Sequence, residues 1–294
     1  MPQIAAFPKC YMDELCITRS MSLFDWIEQA ATLHVAGLEL YPGFFTSLEP
    51  GYLAEVRAAL ERHHLHMPML CASPDFTVAD EAGRAAEIAM MHQMIDLVAF
   101  FDAPGVRTCR VLSGQRRPGL AEDEGVEIVA ACISALLPHA AQRGVTLALE
   151  NHYKDNYWTH PEFAQHLPVF LKLLDAVPSR GLGVNYDPSN ALLAGDDPLQ
   201  VLHAIKHRLV SMHASDRRLR AGATLADLRA QENSLGYASV LQHGEIGTGM
   251  IDYPVIMLVL REIGFDGWIS IEDGVNGLDE LRRSVAFVRE MMAM

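Results

Sequence analysis

The chain has 294 residues, of which 50% are hydrophobic and 20% charged, and its formal net charge is −14. That apolar content excludes a disordered chain and suffices for a large core, either one barrel or two ordinary domains. So acidic a surface argues against a general binder of phosphate backbones or anionic membranes.

Taken in chain order, a short apolar run at 4–7 reads as a strand. Ser20 or Ser22 then suits the N-cap of a helix from about residue 22. A strand at 37–41 carries Glu39 and ends at Tyr41, a helix follows at 52–63, and a third strand spans 67–72. A long apolar helix at 81–102 leads to a strand at 106–112. The next helix, 124–143, contains Pro138 and stops at Gly144. The fifth strand ends at Glu150, and Pro161 suits the first turn of the helix after it. The sixth strand ends at Asp187, a helix covers 198–208, and the seventh strand ends at His213. A long irregular stretch, 216–249, follows, with a helix near 226–233; connections of this length are uncommon unless they serve function. A helix at 253–263, a strand ending at Glu272 and a helix at 278–292 complete the chain. Eight strands alternating with eight helices predict a single (β/α)8 TIM barrel occupying 1–294 as one domain. The rival, an open doubly wound sheet, would carry Gly-x-Gly-x-x-Gly after its first strand, and none is present.

Four polar residues thus stand at the ends of four strands: Glu150, Asp187, His213 and Glu272. In a parallel barrel all such ends open on one face, where active sites of this fold lie. Three carboxylates gathered there repel one another, whereas around a divalent cation they and an imidazole form a ligand set. Manganese, magnesium, cobalt, iron and zinc all suit such donors.

The runs Leu147-Ala-Leu-Glu150-Asn-His152, Asp187-Pro-Ser-Asn190, His213-Ala-Ser-Asp216-Arg217 and Gly267-Trp-Ile-Ser-Ile-Glu272-Asp273 resemble those of the xylose isomerase-like TIM barrels. The stretch from His243 through Gly247, Gly249 and Asp252 is similar to the Gly-x-Gly-x-x-Asp element of that superfamily. The resemblance extends over nearly the whole chain. It implies one divalent cation, manganese favoured, held by Glu150, Asp187, His213 and Glu272. It also implies an isomerase, epimerase or eliminase that takes a proton from carbon next to a carbonyl of a small sugar or keto-sugar. In the ketose epimerases of this group the glutamates matching Glu150 and Glu272 act as a base and acid pair. Those enzymes often carry His where this chain has Asn190, which cannot titrate. The Glu-Asn-His and His-x-Ser-Asp-Arg elements resemble eliminases of 3-keto-glycosides and the metal subunits of C-glycoside deglycosidases. That subgroup makes His152 a candidate general base.

Around this centre, Asn190, Asp216, Arg217 and His243 are candidate substrate-binding residues. Asp216 suits orienting His213 or binding hydroxyls, and Arg217 suits clamping an anionic or oxidised group. Glu39, Tyr41, Tyr157 and Trp158 are candidates for the pocket wall or simply its rim. The expected partners are a small sugar, with neither nucleic acid nor membrane, and further copies of the chain or a second subunit. Alternatives are an endonuclease IV-like repair nuclease, which would need more His ligands and a cationic face, or a metal-binding subunit active only with a partner. Five dispersed cysteines without a Cys-x-x-Cys pair, and no visible export signal, point to the cytoplasm.

Overall fold

The computed structural model describes residues 1–101, 103–155, 158–230, 240–272 and 275–294. Its strands are β1 (Gln3–Ala6), β2 (Gly37–Leu38), β3 (Met69–Leu70), β4 (Thr108–Val111), β5 (Thr146–Glu150), β6 (Leu182–Tyr186), β7 (Leu209–Ala214), β8 (Asp216–Leu219), β9 (Leu241–Gly244) and β10 (Trp268–Ile271). Eight of them form one parallel sheet in the order β2-β1-β10-β7-β6-β5-β4-β3. Hydrogen bonds from Leu40 N to Met69 O (3.2 Å) and from Cys71 N to Leu40 O (2.7 Å) bring the two ends of that sheet together. The result is a nearly closed (β/α)8 barrel, as the alternation predicts.

The helices are α1 (Met12–Cys16), α2 (Leu23–Ala30), α3 (Pro50–Arg62), α4 (Glu81–Phe100), α5 (Glu122–Arg143), α6 (Leu167–Ala176), α7 (Pro188–Leu193), α8 (Pro198–Ile205), α9 (Leu225–Ala230), α10 (Tyr253–Glu262) and α11 (Leu278–Ala293). Ser22 begins α2 in a capping box with Asp25, satisfying two amides that the helix itself cannot. Trp26 and Ile27, on the inner side of α2, are fully buried. Gly144, in the left-handed region at φ 65°, ends α5. By length and composition α5 could cross a bilayer, but Val129, Ile133 and Leu136 are fully buried within the protein.

Two predicted elements differ. Pro161 does not open a helix. Glu162 N donates to Tyr153 O and Phe163 N to Gly114 O, both at 2.7 Å, so this segment runs beside the chain after β4. The helix starts instead at Leu167, with Pro168 in its first turn. The second difference lies in 216–249, which is not irregular throughout: β8 and β9 pair as an antiparallel ribbon, Asp216 opposite Gly244, with α9 between them. Helix α9 ends at Ala230, and the rest of the predicted 226–233 helix lies outside the described residues.

Candidate active site

The barrel strands set their ends at one level, and the turn chemistry after each strand fixes the side chains. Glu150 is the last residue of β5 and is wholly buried. Asn151, next along, locks β5 to β6: its Nδ2 donates to Asp187 O (2.7 Å) and its Oδ1 accepts from Asp187 N (2.9 Å). Asp187 is the N-cap of α7, with Pro188 at the first position, where a missing N–H costs nothing. Asp187 Oδ1 accepts from Ser189 N (2.7 Å), Asn190 N (3.0 Å) and Ser215 Oγ (2.8 Å). Asn190 then bridges two acids, its Nδ2 donating to Glu150 Oε1 (3.1 Å) and Asp187 Oδ2 (2.9 Å).

His213, on β7, turns its Nδ1 toward Glu150 Oε1 and Glu272 Oε2, each 3.3 Å away. One ligand atom from each of Glu150, Asp187, His213 and Glu272 lies within 4.8 Å of the others. Octahedral coordination with bonds of about 2.1 Å separates opposite ligands by about 4.2 Å, so this cluster matches a small divalent ion. The electrostatics fit as well. Burial, with the charges of Glu272 and Glu150, raises the Asp187 carboxyl above its ordinary range. That is the signature of surplus negative charge in a dry site, which a dication would neutralise. On Glu150 burial opposes ionisation, but His213 and Arg110 outweigh it and hold the carboxyl well below the usual range.

Beneath His213 sits Glu39, 1% exposed, whose Oε1 is 2.7 Å from Nε2. The Cys71 thiol also donates to that oxygen. If Nε2–H is given to Glu39, Nδ1 keeps its lone pair toward Glu150 and Glu272, the usual arrangement for a metal-binding imidazole. Burial pushes the Cys71 thiol far above its ordinary value, so it stays protonated. Glu39→Gln is expected to weaken Mn2+ binding about 10–100-fold, measured by titration calorimetry; unchanged affinity would remove Glu39 from this role.

A cavity of about 450 Å³ opens above the cluster, lined among others by Lys9, Tyr41, Arg110, His152, His243 and Glu272. His152 follows Glu150 by two, the spacing that puts both on one side of an extended chain. Its Nδ1 is 3.3 Å from Glu162 Oε2. Burial works against its charge, but Glu150 and Glu162 prevail and raise its pKa. Lys9 Nζ approaches Glu272 Oε1 at 3.7 Å. His243 lines the wall, its Nδ1 2.5 Å from Arg217 Nη1. Burial first, then Lys9 and Arg217, lower its pKa to about 3, so His243 is a neutral imidazole.

The nine predicted site residues therefore divide. Glu150, Asp187, His213, Glu272 and Asn190 form one cluster, and His152 and His243 face the cavity above it. Arg217, 6% exposed, is behind His243 and does not line the cavity. Asp216 does not line it either. Its Oδ1 accepts from Arg217 N (2.8 Å) and Ile251 N (3.2 Å), and its Oδ2 from Gly247 N and Gly249 N (3.0 Å each). Substrate binding by Asp216 is thus corrected to a loop-holding role, because backbone amides take both oxygens. Trp158 is buried, whereas Tyr157 and Asp273 lie outside the described residues.

Sequence reasoning passed over Arg110, Lys9 and Glu162. Arg110 is buried and donates Nη1 to Glu150 Oε2 (2.9 Å), Nη2 to Ser73 Oγ (2.9 Å) and Nε to Ala72 O (3.0 Å). An arginine within a short, wholly buried strand was the available signal.

Comparison with known proteins agrees with this architecture. A family model described as xylose isomerase-like TIM barrel matches residues 27–291. Inosose dehydratase of Lacticaseibacillus casei is 24% identical over 159 residues, 53% of this chain and 49% of that protein. The chain thus spans about half the length of the curated relatives it matches. Among solved structures, a D-tagatose 3-epimerase-like protein superposes with TM-score 0.77 at 17% identity, covering 99% of this chain and 97% of the other. The 3-keto-D-glucoside 4-epimerase of E. coli gives TM-score 0.70 at 16% identity, covering 99% and 100%. With a matching family model over nearly its whole length, and the same barrel in its neighbours, the chain belongs to the xylose isomerase-like TIM barrel family.

Proposed function

We propose that the protein is a divalent-metal-dependent enzyme that removes the proton next to the carbonyl of a keto-sugar or similar polyhydroxylated ketone and expels a β-hydroxyl as water. One observation carries this reading. The imidazole of His152 faces the cavity with a buried carboxylate behind it, while both glutamates of the ligand cluster are already engaged. Burial disfavours the charge on Glu272, but Lys9 and His213 hold its carboxyl well below the usual range. Glu150 is held low in the same sense. Carboxylates so stabilised are weak proton carriers near neutral pH, where a general base works best with a matching pKa. Imidazole titrates in that window.

A cation held by Glu150, Asp187, His213 and Glu272 would polarise the carbonyl and stabilise the charge developing on its oxygen. Manganese is the favoured ion; magnesium, cobalt, iron and zinc suit the same donors. Arg110 and Asn190 keep Glu150 ionised and fixed. His152 takes the proton and hands it on to the departing β-hydroxyl, which leaves as water, and neutral His243 offers a hydrogen bond to a substrate hydroxyl. Epimerisation needs a second proton carrier on the opposite face, and Glu272, held by Lys9 and His213, is poorly suited to that task. Similarity to inosose dehydratase supports elimination over epimerisation. The free thiols, with Cys71, Cys109 and Cys132 buried, support a reducing compartment such as the cytoplasm.

The test is NMR of Mn2+-loaded enzyme, desalted before spectra, with ketoses, phosphorylated ketoses and 3-keto-glycosides in deuterium oxide. Deuterium entering at one carbon beside the carbonyl, with a conjugated ketone appearing in the ultraviolet, is the expected result. Accumulation of an epimer without that absorbance would overturn elimination. Absence of exchange in every substrate would end the whole reading.

A further inference from the structure

Glu162 is fully buried on a segment that no predicted element marked as part of the site. Its backbone is fixed: Glu162 N donates to Tyr153 O (2.7 Å), and Arg116 N donates to Pro161 O (2.8 Å). Its Oε1 is also spoken for, accepting from Ser113 N (2.7 Å) and Ser113 Oγ (2.9 Å). The Ser113 hydroxyl oxygen is in turn held by Ala164 N at 2.9 Å. The other oxygen, Oε2, is buried with no hydrogen-bond partner among the described residues, and so is His152 Nδ1. These two atoms face each other at 3.3 Å. A carboxylate oxygen shut away from water is costly unless a donor meets it. Among the described residues, the ionisable nitrogen beside it is His152 Nδ1.

We infer that Glu162 is a positioning residue that keeps the proton of neutral His152 on Nδ1, so that the Nε2 lone pair is presented to the substrate. This deepens the reading of His152 as the base and rests on it. The argument is one of donors and acceptors. With Oε1 filled by Ser113, a glutamate can only accept from Nδ1 through Oε2. Proton on Nδ1 means none on Nε2 in the neutral ring, and the two nitrogens then have separate tasks. Ser113 follows β4 and Glu162 follows Pro161. Two neighbouring loops therefore brace the carboxylate, so it holds the imidazole plane as well as its tautomer.

Glu162→Gln is nearly isosteric and tests the inference. Its carbonyl oxygen can keep both Ser113 hydrogen bonds, which turns the amide NH2 toward His152. That group donates, so Nδ1 must become the acceptor and the proton moves to Nε2, where it blocks proton abstraction. Glu162→Ala removes the preference without imposing the wrong one. The first readout needs no substrate: 15N NMR of histidine-labelled, Mg2+-loaded protein, with the His152 signal identified by its loss in His152→Gln. Wild type is expected to show Nδ1–H and Glu162→Gln to show Nε2–H. In the deuterium-exchange assay, kcat for Glu162→Gln is expected to fall about 1,000-fold or more with KM and Mg2+ affinity little changed. Glu162→Ala should fall less. A merely structural glutamate predicts the reverse order, because alanine leaves a hole and an unpaired Ser113. Nε2–H in wild type, one tautomer in both proteins, or the alanine variant proving the worse of the two would overturn the inference. Undiminished exchange by His152→Gln would instead overturn the base assignment, while the NMR still reports what Glu162 does to the ring.

Discussion

Glu272→Gln is expected to lose its divalent cation and its turnover together. The amide has the size of the carboxylate but no charge, and it removes one of three anions from a set whose ligand atoms lie within 4.8 Å of one another. Outer groups that only orient a ligand are worth about 10–100-fold in affinity; loss of a ligand should exceed that, and more than about 100-fold is expected here. Mn2+ titration calorimetry and metal analysis after desalting measure it. Asp187→Asn makes a companion test, since asparagine is as good an N-cap as aspartate and should keep α7 in place. A Glu272→Gln enzyme that turns over normally without added metal would refute the ligand cluster.

His152→Gln is expected to have the opposite signature. Metal stays, because His152 is not among the clustered ligand atoms, and proton abstraction fails. Positioned general bases contribute about 10²–10⁴-fold, and a fall of that size in deuterium uptake is expected at saturating Mn2+. Loss of metal along with rate would reduce His152 to a support for Glu150. Retention of full exchange would hand the role of base to another group on the wall, with Lys9 next to Glu272 the first to examine.

The convergence of these four side chains was legible because it follows from one repeated rule. Each of Glu150, Asp187, His213 and Glu272 ends or nearly ends a short buried strand, and the barrel brings such ends to one face. The Asp-Pro pair at 187–188 also announces its own cap. Glu162 was hidden by a competing rule. A proline followed by an acid reads as the first turn of a helix, and nothing local says that Gly114 and Tyr153 will take its backbone instead. Arg110 was hidden because β4 carries arginine just before it as well as within it, and Arg107 instead reaches the carbonyls of Ala99 and Arg143. For Asp216 the failure was one of distance along the chain. Its partners stand at Gly247, Gly249 and Ile251, and only the folded ribbon shows their amides turned inward. Gly249 had to be glycine there: a Cβ would stand 2.1 Å from Asp216 Oδ1.

That knot around Asp216 changes how the excursion beyond β7 relates to the barrel. The carboxylate ties the departing chain to the returning one within a few residues of His213, and Met250 N adds a bond to Arg217 O (2.8 Å). Mechanically, this is a cinched loop: tension or altered length beyond the cinch ends at the knot and does not reach the imidazole. A barrel built this way can vary the excursion between β8 and β9 while the four clustered side chains stay in register.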